Sequence, residues 1–201
     1  MAIEKKAAHR DDEYWGRPVP GFGDPLARVL VIGLAPAAHG ANRTGRVFTG
    51  DGPGASGDFL MRAMHEHGFA NIPTARHPDD GLTLTDAFIA AAVRCAPPDN
   101  QPLPAEIAAC HAHLVAEVAA LPRIKVIVGL GRIAFDAAWR LLADRGVVVR
   151  PRPAFAHNAA HREGGYTVIG SYHPSRQNTN TGKLTPEMLS SVFANVRRLA
   201  R

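Results

Sequence analysis

Cysteine is almost missing from this chain. Two among 201 residues are too few for a disulfide framework, so the expected compartment is a reducing cytoplasm. No run of 18 apolar residues occurs, which excludes a membrane-spanning helix; no membrane partner is expected, and the opening MAIEKKAAHRDDEYW is too polar for a secretory signal. Internal repeats, linkers and low-complexity tracts are lacking too. The length prior is therefore one domain over residues 1–201, with 1–25 as an N-terminal extension, expected to act as a monomer. A chain of this size buries roughly 70% of its unfolded surface. Acidic residues are the minority, 18 against 23 Lys and Arg, for a net charge of +5, which suits an anionic partner without requiring one. At 46% hydrophobic and 20% charged, the composition is that of an ordinary soluble globular protein.

What is present is an alternation of apolar runs and helical patterns. Residues 28–34 (RVLVIGL) read as a strand, 55–67 as a helix with Phe59, Leu60, Ala63 and Met64 inward, and 86–94 as a strand ahead of a Pro-rich loop. Residues 104–121 read as a helix with Ile107, Cys110, Leu114, Val118 and Leu121 on its apolar stripe. KVIVGL (125–130) is the clearest strand and precedes a helix over 131–143; VVVR (147–150) and YTVIGSY (166–172) are two further strands. Thr185 as cap with Pro186 at the first position starts the last helix, and Arg197, Arg198 and Arg201 suit its negative end. This order predicts an α/β protein, a three-layer α/β/α sandwich around a short, mainly parallel sheet.

Several tempting motifs carry little. Gly129-Leu-Gly131-Arg-Ile-Ala134 matches the dinucleotide fingerprint, yet the region where its acidic residue should fall is the basic VVVRPRPAF. A tight strand-to-helix turn is the better reading. His65/His67 and His111/His113 are two apart and so point to different helix faces, and His157 with His161 lacks a Cys or carboxylate companion. Cys110, on an apolar stripe, reads as a small buried hydrophobe.

Two loops are different. GLAPAAHGANRTGRVFTGD (33–51) and SYHPSRQNTNTGKLT (171–185) each follow an apolar strand and are rich in Gly, Asn, His, Thr and Arg. Such residues make a poor core, and strand-end loops are where α/β proteins carry their chemistry. With YWGRPVPGFGDP (14–25) and AAVRCAPP-N (91–100), these segments resemble the type-5 uracil-DNA glycosylases. The likeness covers most of the chain, from about Tyr14 to the final helix.

The resemblance implies a DNA glycosylase that flips uracil out of single- or double-stranded DNA and hydrolyses its N-glycosidic bond in base-excision repair, in a prokaryotic cytoplasm close to the nucleoid. It puts a catalytic aspartate at Asp51; from the residues alone Asp58, which reads as an N-terminal helix residue, is the fallback. His173 would donate a hydrogen bond to the base carbonyl as negative charge develops there. Asn100 and Asn178 offer amides that read a base edge or hold water, and Phe48 would stack on the flipped base. Gly33 and Ala35 would wall the base pocket. Arg43, Arg46, Ser175, Arg176 and Lys183 are candidates for the DNA phosphates. Gly33-Leu-Ala35-Pro has no polar side chain, which implies a roomy pocket that also takes hypoxanthine or etheno-modified bases, with thymine excluded by shape.

The resemblance further implies a 4Fe-4S cluster on four cysteines. Cys95 and Cys110 match the second half of that site; the first two lie, in the family, a little upstream of EYWGRPVPGFGDP. Either an upstream stretch completes the set or the cluster is lost. Two other readings remain open from the residues alone: a hydrolase of free nucleosides or nucleotides, and a module that binds DNA lesions without cutting.

Overall fold

The computed structural model describes residues 5–201. Its centre is built from the apolar runs. Six strands, β1 (Phe22–Gly23), β2 (Val29–Gly33), β3 (Ala87–Ala91), β4 (Val126–Leu130), β5 (Ala160–Glu163) and β6 (Tyr166–Ser171), form one sheet in the order β1-β3-β2-β4-β6-β5. β3, β2, β4 and β6 run parallel, and the two edge strands are antiparallel to their neighbours. Every residue of β2 and β4 is buried, as expected of parallel strands covered on both faces.

Alternation along β2 sorts the two cores. Val29 and Val31 face one cluster, with Leu60 and Met64 of α2 (Ser56–Glu66) and Val192 and Phe193 of α6 (Pro186–Leu199). Leu30 and Ile32 face the other, with Leu114 and Val118 of α3 (Pro104–Ala119) and Phe135 and Leu141 of α4 (Arg132–Asp144). The result is the three-layer α/β/α sandwich the sequence predicts. Two short helices, α1 (Ala41–Thr44) and α5 (Arg176–Asn180), sit inside the two polar loops.

Register positions the site. Ile32 pairs with Gly129, and Gly129 with Gly170, so Gly33 and Ser171 leave the sheet at the same level with β4 alone between them. At roughly 5 Å per strand spacing, the two loops start about 10 Å apart on the carboxyl edge.

The structure corrects three sequence expectations. Residues 147–150 form no strand: Val147 and Val149 plug the α3/α4 core from a loop, and Val148 is 62% exposed. Two edge strands have no counterpart among the five expected: the two-residue β1, and the polar β5, AHRE, which pairs with β6 alone and buries no face. Ile107 and Cys110 are only half-buried, because α3 meets the core through its second half, from Leu114 onward.

The N-terminal extension is woven into the domain. Val19 is buried and donates its N–H to the Arg94 carbonyl, while Gly21 N–H donates to Glu117 Oε1 beside the Arg94–Glu117 ion pair. Gly129 and Gly131 act as the turn reading requires. A Cβ on Gly129 would lie 2.5 Å from Phe135 Cα, and Gly131 has φ 89° at the head of α4.

Candidate active site

A cleft of about 630 Å³ opens at the carboxyl edge, walled by both polar loops and by residues 99–101 after β3. Asp51 reaches it at the end of the first loop. Its carboxylate lies against the backbone of Gly40, where a Cβ would come within 2.1 Å of Oδ1, so only glycine admits it. Burial raises the Asp51 carboxyl above the usual range, and the Arg176, Arg43 and Lys6 charges oppose that rise.

His173 enters from the second loop, directly after β6. Burial pushes its imidazole down to about 4, so it is neutral at physiological pH and can donate through one ring nitrogen only. Phe48 stacks alongside it, ring centroids 5.9 Å apart and planes 27° off parallel. The Phe48 backbone has φ 54°, a conformation that costs an aromatic residue free energy and is held here by two close glycines. A Cβ on Gly33 would lie 2.8 Å from the Phe48 ring, and one on Gly57 would lie 2.0 Å from the Phe48 carbonyl oxygen. The ring thus lies across the end of β2 at the cleft wall.

Asn100 also lines the cleft, delivered by a left-handed turn at Asp99 (φ 50°) and Asn100 (φ 56°). Its turn role and its cleft position therefore coincide. Gly33, Ala35, Ser175 and Arg176 line the same space. Arg176 Nη2 donates to the Asp51 carbonyl at 3.1 Å and so ties the two loops together.

Other sequence candidates are drawn elsewhere. Arg46 is 7% exposed and makes two 2.8 Å bonds to Asp80, with further bonds to the Pro78 carbonyl and Thr49. A guanidinium so enclosed has no reach for phosphate; its role is to brace the loop. Arg43 spends all three nitrogens within the protein, on His39, Asp12 and Gly50, and likewise is no free phosphate ligand. Asn178 stands outside the cleft lining and donates Nδ2 to the His173 carbonyl at 2.8 Å; it positions the histidine rather than touching a base. Lys183 lies over the Tyr172 ring, 5.2 Å from its centroid, also outside the lining. Asp58, the fallback carboxylate, is buried and committed to Ala75 N–H and Arg76. Sequence reading missed Lys6, Gln101 and Gln177 at the cleft; each sits in a polar stretch with no local signal to single it out.

Cys95 is exposed and Cys110 half-buried, both unpaired. Burial raises the Cys95 thiol, and the charges of Cys110 and Glu106 raise it further. Among the described residues, however, no group of three or more His, Cys, Asp or Glu side chains could hold a metal ion. Two thiolates do not fit a four-thiolate cluster.

A polar cleft at the carboxyl edge of the sandwich, reached by a half-buried carboxylate and a neutral histidine from two separate loops, has groups of the kind that stabilise both charges of a breaking glycosidic bond. The model of the uracil-DNA glycosylase superfamily matches residues 20–197. The chain is 50% identical over 199 residues to a Type-5 uracil-DNA glycosylase of Thermus thermophilus, covering 98% of this chain and 87% of that protein. It is 47% identical over 202 residues to one of Mycobacterium tuberculosis, covering 100% and 73%. A Type-4 uracil-DNA glycosylase of Sulfurisphaera tokodaii is only 28% identical over 185 residues, covering 90% and 74%. The chain therefore belongs to the uracil-DNA glycosylase superfamily, in its type-5 branch.

Proposed function

We propose that this protein excises uracil from DNA by hydrolysing the bond between the deoxyribose C1′ and the base nitrogen, the opening step of base-excision repair. The observation that carries the reading is one cleft faced by Asp51 and His173 from loops 33–51 and 171–185.

Breaking this bond develops positive charge on the sugar and negative charge on the departing base. A catalyst must favour both and bring water to the far face of the sugar. Asp51 supplies the anion, stabilising the sugar cation and orienting the water. Its partial burial strengthens that interaction, since bulk water screens it less than at the surface. His173 donates its ring N–H toward the base carbonyl; because it is neutral, it carries no charge that would oppose the cation forming nearby. Phe48 stacks on the base, Asn100 hydrogen-bonds its edge, and Arg176 with Ser175 receives phosphate.

The segment after Gly33 (Leu34, Ala35, Pro36) brings only apolar side chains to the pocket. With no polar side chain on this wall to match uracil alone, selection there falls to shape, and hypoxanthine and etheno-modified bases become substrates as well.

The test is strand cleavage, after alkali, of labelled single- and double-stranded oligonucleotides bearing one uracil. Wild type should yield uracil-dependent product, Asp51→Asn about 10²–10⁴-fold less, and His173→Ala about 10²–10³-fold less. A wild type that binds this DNA and releases no base sinks the enzymatic reading.

A further inference from the structure

Arg43 links the loop that carries Asp51 to a distant segment. Nε donates to the His39 carbonyl at 2.9 Å and Nη2 to the Gly50 carbonyl at 2.9 Å, the residue just before Asp51. Nη1 donates to Asp12 Oδ2 at 2.9 Å, an oxygen that His9 Nδ1 also meets at 3.1 Å. The chain after Asp12 is fastened to the same loop. Tyr14 Oη and His39 Nδ1 are hydrogen-bonded at 2.9 Å, Trp15 N–H donates to the Arg43 carbonyl at 3.0 Å, and Gly16 N–H donates to the Asn42 carbonyl at 3.1 Å. The Trp15 indole packs on Gly45, where a Cβ would lie 2.8 Å from the ring. None of residues 12, 14, 15 or 16 lines the cleft.

We infer that residues 12–16 form a strap that positions the catalytic loop, with Arg43 as the positioning residue that carries the hold of Asp12 to the backbone beside Asp51. The inference rests on Asp51 being the catalytic carboxylate. A group that must face a developing cation tolerates little displacement, and a shift of about 1 Å from a remote change costs about 10²-fold in rate. Hydrogen bonds from a rigid fork to two carbonyls and a carboxylate restrict such movement better than a loop alone does. Arg43 also bears on the charge of Asp51. The cations facing that carboxyl are Arg176 from α5, Arg43 from α1 and Lys6 from the N-terminal segment. Withdrawing Arg43 leaves burial less opposed, and the carboxyl rises further.

The experiment compares wild type, Asp12→Asn, Asp12→Glu and Tyr14→Phe in the full chain. Uracil excision is measured as kcat and KM through the acid range, with thermal unfolding alongside. Asp12→Asn should lower kcat about 10- to 100-fold and hold KM within about twofold. Asp12→Glu should recover most of the rate, and Tyr14→Phe, the milder change, should lower kcat in the same direction. An active wild type matched in kcat by Asp12→Asn and Tyr14→Phe, with only the melting temperature reduced, overturns the inference alone. A KM effect with kcat unchanged also overturns it, by moving the strap to DNA binding. A wild type without excision overturns the function, and the inference with it.

Discussion

At the scale of single residues the site depends on two ionisation states that the sequence does not contain. In the proposed reaction Asp51 acts as a carboxylate, yet burial holds its pKa above the ordinary range. The rate of uracil excision should therefore fall with acid at a pH above that of an exposed aspartate, as the carboxylate is protonated. His173 behaves oppositely: its folded value of about 4 lies below the ordinary 6.5. No second limb should appear near neutrality, and a wild-type limb near pH 6.5 that vanishes in His173→Gln would contradict a neutral donor. The same shift bears on stability. The unfolded state takes up the proton first on acidification, so stability is fully present above about pH 6.5 and falls between there and about pH 4. The loss is at most about 3 kcal/mol, to be read from denaturation midpoints of wild type against His173→Gln over that window.

At the scale of elements, short helices and glycines place what the residues carry. Ser175 caps α5, accepting from Asn178 N–H at 3.4 Å, while the Asn178 side chain reaches back to the His173 carbonyl at 2.8 Å. The five-residue α5 is too short to be stable by itself, so this return bond contributes much to where the histidine sits. Asn178→Ala should cost about 1 kcal/mol of local order and lower kcat about tenfold without moving the acid limb, a combination seen by pairing kinetics with a pH profile. A moved limb would instead put Asn178 in electrostatic contact with the chemistry. Elements also show how legible the fold was. The unbroken apolar runs of β2 and β4 and the capped start of α6, where Thr185 Oγ1 accepts from Met188 N–H at 3.2 Å, are read directly from sequence. β5 is not, because an edge strand with no buried face has no hydrophobic pattern to report. The valines of 147–150 mislead for the converse reason: they are apolar because they plug a core, not because they pair.

At the scale of the molecule, the count of 23 Lys and Arg side chains overstates what DNA meets, since part of this basic complement is spent inside. The Arg46–Asp80 pair joins loop 33–51 to the segment after α2 with both partners largely enclosed, side chains 8% and 15% exposed. Arg176 stands at the cleft mouth. The two arginines should therefore part company. Arg46→Ala should destabilise the fold by about 3–5 kcal/mol and leave the salt dependence of DNA binding unchanged. Arg176→Ala should leave stability nearly intact and reduce the slope of log affinity against log salt by about 1. Chemical denaturation and binding titrations at several salt concentrations check both, and a reversed pattern would return Arg46 to the DNA-facing surface.

The sequence by itself determined the α/β class, most of the strands and helices, the two polar loops that wall the cleft, and their likeness to type-5 glycosylases. It could do so because burial on one element leaves a local period, and a polar loop after an apolar strand leaves a local contrast. Tertiary structure alone decided which charged and amide side chains face the cleft and which hold the scaffold. Arg46 finds Asp80 at a separation of 34 residues, Arg43 finds Asp12 at 31, and the Arg176 side chain meets the Asp51 carbonyl across 125. The role of a charge is fixed by its partner, and partners so distant along the chain meet only when the sheet brings its loops to one edge.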